Sequence, residues 1–298
     1  MNEPTAESWI YFKLYLGSKA DRADNLLIDL CQRMMANTHL QRWFYLRFLD
    51  EQGFHIRLRA LPNAGMAEAA QLSVNRDAAS VLERLHSFLP STYQTMVSLP
   101  DYTMDAATPD LNLRVLLESD EYQPELDKYG SAEAVAVAEQ VFHGSSELAF
   151  HILEDEANGH YSRKTLAPWL MFEPQNIMPA KEFNDYWRQY SLYWLGGESP
   201  AADDWREKFH RKAEDLKLQG FDVLAPEAEL PSQAQAVLKR WRGVLGEAAT
   251  AFAQLDSAVA RPDVLSLNLS HLMMNRLGIA TLEESYLAAL LEAREVPV

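Results

Sequence analysis

The segment WFYLRFLDEQGFHIRLRAL, residues 43–61, constrains the fold more than any other part of the chain. Two runs of apolar and aromatic residues flank the turn Asp50-Glu51-Gln52-Gly53, and Gly53 suits its left-handed position. Such a pattern predicts a β-hairpin and hence an antiparallel sheet. Successive strand residues point to opposite faces. Phe54, Ile56 and Leu58 therefore share one face, and His55, Arg57 and Arg59 share the other. Trp43, Tyr45 and Arg47 share one parity in the first arm, and the hairpin is expected to present a mixed aromatic and cationic face.

Further strands are expected over 9–16 (WIYFKLYL), 92–104 and 111–118, and helices over 20–36 and 78–89. Beyond Tyr129-Gly130 the character changes. Helices are expected over 131–142, 145–157, 181–194, 203–218, 232–255, 263–277 and 281–293, with Gly or Pro in the spacers, Pro168 among them. Strands first and helices later imply an α+β fold. An antiparallel sheet from the N-terminal half should be packed with helices mainly from the C-terminal half. The chain is expected to form one domain over 1–298, strand-rich to 130 and helix-rich from 131.

The formal net charge of −16 argues against a surface that grips a nucleic-acid backbone, so no direct nucleic-acid partner is expected. One cysteine, Cys31, excludes an intrachain disulfide framework. No apolar run is long enough to span a membrane, and the start MNEPTAESW has no signal-peptide character, which points to the cytoplasm. His143, His151 and His160 lie near Glu154 and Asp155 but lack metal-ligand spacing. No metal and no cofactor is expected.

Three segments carry candidate chemistry. In FHIRLR, the pattern alone fits a solvated sheet face as well as an anion site built from two guanidiniums. In YQPELDKYGS, residues 122–131, Glu125 and Lys128 are three apart and suit a local ion pair. In DVLSLNLSHLMMNRLG, residues 263–278, no formally charged residue lies between Asp263 and Arg276. Asn268, His271 and Asn275 fall within a stripe of about 60° on a helix. A polar stripe with apolar flanks fits a satisfied core histidine, or a catalytic imidazole lining a wet pocket.

Taken together, the aromatic strand at Trp9, WFYLRFLD–FHIRLR, Y-x-P-E-x-x-K-Y-G and S-H-L-M-M-N-R resemble, in order and spacing, the C-terminal elimination domain of class I lantibiotic dehydratases. This is the thiopeptide-type bacteriocin biosynthesis domain, and the resemblance runs from Trp9 to about Leu290. It implies a lyase-type step on a ribosomally made precursor peptide. A serine or threonine esterified by glutamate would lose that glutamate, leaving dehydroalanine or dehydrobutyrine.

Carried over by motif, the catalytic residues would be Arg57, Arg59, Glu125, Lys128 and His271. His55, Asn268, Asn275 and Arg276 would bind substrate. The chain looks like the split, stand-alone form, with the leader and core of the precursor and a separate tRNA-dependent glutamylation protein as partners; a homodimer stays open. Two positions depart from the family pattern: Lys128 stands where the family has arginine, and Ser131 where it has a second glycine. The same fold serves thiopeptide pyridine synthases, which join two dehydroalanines in a formal [4+2] cycloaddition and expel the leader. A non-catalytic subunit that holds the precursor is the third reading.

Overall fold

The computed structural model describes residues 9–86, 114–178 and 185–295. The strand expected over 92–104 lies outside them. Strands β1 (Ile10–Leu16), β2 (Leu40–Asp50), β3 (Gly53–Pro62) and β4 (Val115–Ser119) form one antiparallel sheet in the order β2-β3-β1-β4. The hairpin turns at Gly53, whose φ of 121° lies where a side chain would be strained. Helices α1 (Ala23–Ala36), α2 (Ala67–His86), α3 (Leu126–Tyr129), α4 (Ala132–Ala157), α5 (Arg163–Ile177), α6 (Tyr186–Trp194), α7 (Pro200–Leu218), α8 (Ser232–Ala253), α9 (Pro262–Leu277) and α10 (Thr281–Glu295) complete an α+β fold. No helix among the described residues is long and apolar enough to cross a membrane.

Two helical expectations change for identifiable reasons. Residues 132–157 form one helix, not two. Gly144 does not break it: a Cβ there would meet the side chain of Val244 at 3.0 Å, so the glycine serves close packing of α4 on α8. Around Pro168, expected as a spacer, the chain is helical, and Pro174 lies in the same helix. Proline has no N–H, so Pro174 leaves the Leu170 carbonyl without its helical donor. Buried Trp241 of α8 supplies one, its Nε1–H donating to that oxygen at 3.1 Å.

The register decides which parity of β2 shares a face with the arginines. Phe44, Leu46 and Phe48 lie across from Arg59, Arg57 and His55, whereas Trp43, Tyr45 and Arg47 lie across from Ala60, Leu58 and Ile56. Arg47 thus belongs to the core side. Helices α1 and α2, from the N-terminal half, pack on each other, and α2 packs on β1, β3 and β4; α4 and α9 pack on β2. Helices from both halves thus cover the sheet, and most of the helices come, as expected, from beyond residue 131.

β2 is an edge strand, and its outward backbone groups need partners. Ser146 of α4 accepts from the Tyr45 N–H at 3.3 Å. Asn275 of α9 accepts from the Arg47 N–H and donates to the Arg47 carbonyl, both at 2.9 Å. The last carbonyls of α9 are met in return: Tyr45 Oη and Arg47 Nε donate to that of Arg276, and Arg163 Nη1 to that of Leu277. Arg47 and Arg163 both pair with Asp24 at 2.6 Å, joining α1, β2, α5 and the end of α9.

Gly278 closes α9 in the left-handed region (φ 71°), and a Cβ there would meet Arg47 Nη1 at 2.9 Å. Gly65 has a similar φ of 75° with nothing within 4 Å. Gly278→Ala is expected to destabilise the protein by about 1–3 kcal/mol, and by more than Gly65→Ala, which meets only the backbone cost. Urea unfolding of both variants measures the difference; equal losses would mean that Arg47 yields at no cost.

Candidate functional site

The antiparallel register builds one sheet face from Tyr11, Lys13 and Tyr15 of β1, His55, Arg57 and Arg59 of β3, and Phe44, Leu46 and Phe48 of β2. Lys13 is committed to Asp120 at 2.6 Å. Among the described residues no carboxylate pairs with Arg57 or Arg59. The Arg59 guanidinium lies among rings, 4.8 Å from the centroids of Tyr11 and Tyr122 and 5.4 Å from that of Phe44. Its Nε is buried without a hydrogen-bond partner among the described residues. Arg57 stacks on Phe48 at 3.3 Å, and its Nε–H points to His55 Nε2 at 3.4 Å. Burial, together with the neighbouring Arg59 charge, holds Arg57 below the usual guanidinium range.

His55 is fully buried, with its Nδ1 3.1 Å from the Gly53 carbonyl. That bond assigns the proton to Nδ1 and leaves Nε2 as the acceptor for Arg57. Burial lowers its pKa, so the imidazole is kept neutral beneath Arg57. Phe48 and Leu116, about 40% exposed, leave the Arg57 end partly open. The Arg59 end is roofed by Tyr122, which packs on Trp9 and lies beside buried Glu139.

Arg276 extends this cationic region inward. It is fully buried; its Nε donates to Ser146 Oγ at 2.9 Å and its Nη1 to the Leu272 carbonyl at 2.8 Å, while Nη2 has no partner among the described residues. Burial pushes its pKa down to about 10, with the Arg59 charge acting in the same direction. Tyr129 Oη, another buried atom without a hydrogen-bond partner among the described residues, lies near enough for its charge to act on Arg276.

Glu125 and Lys128 form the local ion pair at 3.1 Å, on the surface with side chains 60% and 37% exposed. Glu125 also acts electrostatically on Tyr122 and Tyr129, which sets it at the margin of the Arg59 roof. Ser131, where the family has glycine, is the N-cap of α4: its Oγ accepts from the Ala134 N–H at 3.2 Å. Gly130 before it is held to glycine twice, by a φ of 104° and by the Ala258 carbonyl 2.8 Å from where a Cβ would stand.

His271 is not brought together with the arginine pair. Its Nδ1 lies 3.0 and 3.2 Å from the two carboxylate oxygens of Glu284 in α10, and its ring lies 4.0 Å from Trp194 of α6. Residues 271 and 276 are about 140° apart around a helix, so α9 cannot turn both to one side. The polar stripe is divided in the same way. Asn275 serves the β2 edge, His271 faces α6 and α10, and Asn268 donates to the Val264 carbonyl one turn back. A cavity of about 540 Å³ between the end of α7 and α10, lined by Lys217, Phe221 and Arg294 among others, includes none of these residues.

Sequence reasoning missed Tyr11, Tyr122, Tyr129 and Glu284. Tyr11 alternates in phase with Lys13, but only the β1–β3 register places it opposite Arg59. Glu284 did carry a signal: it is four residues before Ala288 and seven before Leu291, on the buried stripe of α10.

A family profile described as "Lantibiotic biosynthesis dehydratase C-term" matches residues 9–296. No curated protein matches the sequence. Among solved structures, the tRNA-dependent lantibiotic dehydratase MibB from Microbispora sp. 107891 superposes with a TM-score of 0.61 at 17% identity; the match covers 98% of this chain and 28% of MibB. The pyridine synthase TbtD from thiomuracin biosynthesis gives 0.61 at 20% identity, over 97% of both chains. TsrL gives 0.54 at 15% identity, over 96% of this chain and 93% of TsrL. At these identities the likeness is one of fold.

Proposed function

Because the chain belongs to the lantibiotic biosynthesis dehydratase C-terminal family, we propose that it acts on a ribosomally synthesised precursor peptide, eliminating glutamate from glutamylated serine or threonine. The observation that carries this reading is the arginine pair: two guanidiniums side by side on one sheet face, in a protein of net charge −16, with no carboxylate partner among the described residues. In the reaction the Cα proton leaves to a base, its electron pair forms the Cα=Cβ bond, and the Cβ–O bond breaks to release glutamate as a carboxylate. Negative charge develops first on the peptide carbonyl oxygen and then on the leaving group. Arg57 and Arg59 supply preorganised cations for both, with Tyr11 and Tyr122 holding the Arg59 plane in place. His271 is the proposed proton carrier. Glu125 and Lys128 border the site, and a separate glutamylation protein supplies the esterified peptide.

A second reading has its own support. TbtD matches this chain end to end, whereas the chain spans only 28% of MibB. Pyridine formation from two dehydroalanines would use the same cations to polarise an amide. Incubation with a glutamylated peptide, and separately with a peptide bearing two dehydroalanines, followed by mass spectrometry, distinguishes the two. Loss of glutamate with formation of a dehydro residue is expected. Leader loss with macrocycle formation would replace that reading with pyridine synthesis. No change in either peptide would leave a peptide-binding subunit.

A further inference from the structure

Three helices converge beside His271. Glu284 of α10 is completely buried, a costly position for a carboxylate unless it is paired and hydrogen-bonded. One of its oxygens lies 3.0 Å from His271 Nδ1 of α9; the other accepts from the Tyr190 hydroxyl of α6 at 2.6 Å. Trp194, one helical turn beyond Tyr190, lies on the imidazole at 4.0 Å with the planes 33° apart. The junction is pinned next door: Ser191 Oγ and Ser285 Oγ are 2.8 Å apart, and Ser285 donates to the Ser191 carbonyl at 3.0 Å. The imidazole is therefore held by a hydrogen bond at Nδ1 and by a ring face. Its Nε2 has no partner among the described residues, and the side chain keeps 20% of its exposure.

We propose that Glu284 is the positioning residue for His271: it keeps the proton on Nδ1, presents Nε2 for proton transfer to or from the peptide, and stabilises the imidazolium that forms. This rests on the elimination reading above. A carboxylate behind an imidazole fixes its tautomer and favours its charged form. Tyr190, which burial keeps protonated, holds the second oxygen of Glu284 so that the carboxylate cannot rotate away. Among the described residues, the titratable groups that face His271 are Glu284 from α10 and, through it, Tyr190 from α6; Trp194 is not ionisable. The ordinary alternative is a polar network that only sets the register of α6, α9 and α10.

The test uses the whole chain. Glu284→Gln keeps the size and one hydrogen bond but removes the charge. The tautomer of His271, its ring resonances assigned by their loss in His271→Asn, is read by NMR in the wild type and in E284Q. The proton is expected on Nδ1 in the wild type, and that preference is expected to be lost in E284Q. In the elimination assay, kcat of E284Q should fall about tenfold or more with KM kept. In a His271→Ala background, E284Q should cost nothing further, because it acts through the imidazole. An unchanged tautomer overturns the proposal, and so does a loss that persists undiminished in the double variant. Wild-type protein that eliminates nothing, with the tautomer still lost in E284Q, would sink the reaction and leave the Glu284–His271 linkage standing.

Discussion

Arg57→Ala and Arg59→Ala are each expected to lower kcat for glutamate elimination by about 10²–10³-fold, while the protein stays folded. Both side chains meet aromatic rings rather than carboxylates, so neither removal strands a buried acid. Arg59 sits among Tyr11, Phe44 and Tyr122, and truncation there removes packing as well as charge. Its variant should melt earlier than that of Arg57, which stacks on the half-exposed ring of Phe48. Arg→Lys separates charge from geometry. Lysine keeps the cation but loses the planar fork and its stacking, so Arg59→Lys should recover little activity. Steady-state kinetics, with circular dichroism on each variant, checks this. Full activity in both alanine variants would reduce the β3 face to a solvated surface and remove the anion site from the proposal.

The hairpin and its alternation were legible because a strand has a period of two and Gly53 marks the turn. The same reasoning separated Ile56 and Leu58 from Arg57 and Arg59, and the register bears it out. It could not say which parity of β2 faces the arginines. A hairpin turn fixes that phase, and Asp50 pairs with Gly53, which sets Phe44 rather than Trp43 across from Arg59. Long-range partners were out of reach for the same reason. Arg276 was named from its motif, but that it lies fully buried, with no carboxylate partner among the described residues, depends on how α9 docks on α4 and β2. Helix α5 escaped because two prolines in one segment normally argue against a helix; the donor that replaces the missing N–H of Pro174 comes from Trp241, 71 residues from Leu170.

His271→Ala is expected to leave glutamylated peptide accumulating, with kcat down about 10²–10⁴-fold and KM little changed. The expectation follows from what the side chain is bonded to. Here Nδ1 is taken by Glu284, and Nε2 is partnerless among the described residues. A loss confined to KM would make it a binding group. The stringent outcome concerns position. His271 and the Arg57–Arg59 pair lie on different sides of α9, a helix that joins them through Asn275 on the Arg47 backbone and Arg276 beside Arg59. A peptide is long enough to touch both regions, but a single reacting serine or threonine must meet its base and its cations together. If His271→Ala keeps full kcat while Arg59→Ala loses it, proton transfer belongs to the sheet face. Tyr11 and His55 are the groups there that stand beside the guanidiniums, and the His271–Glu284 pair would then be a buried junction between helices.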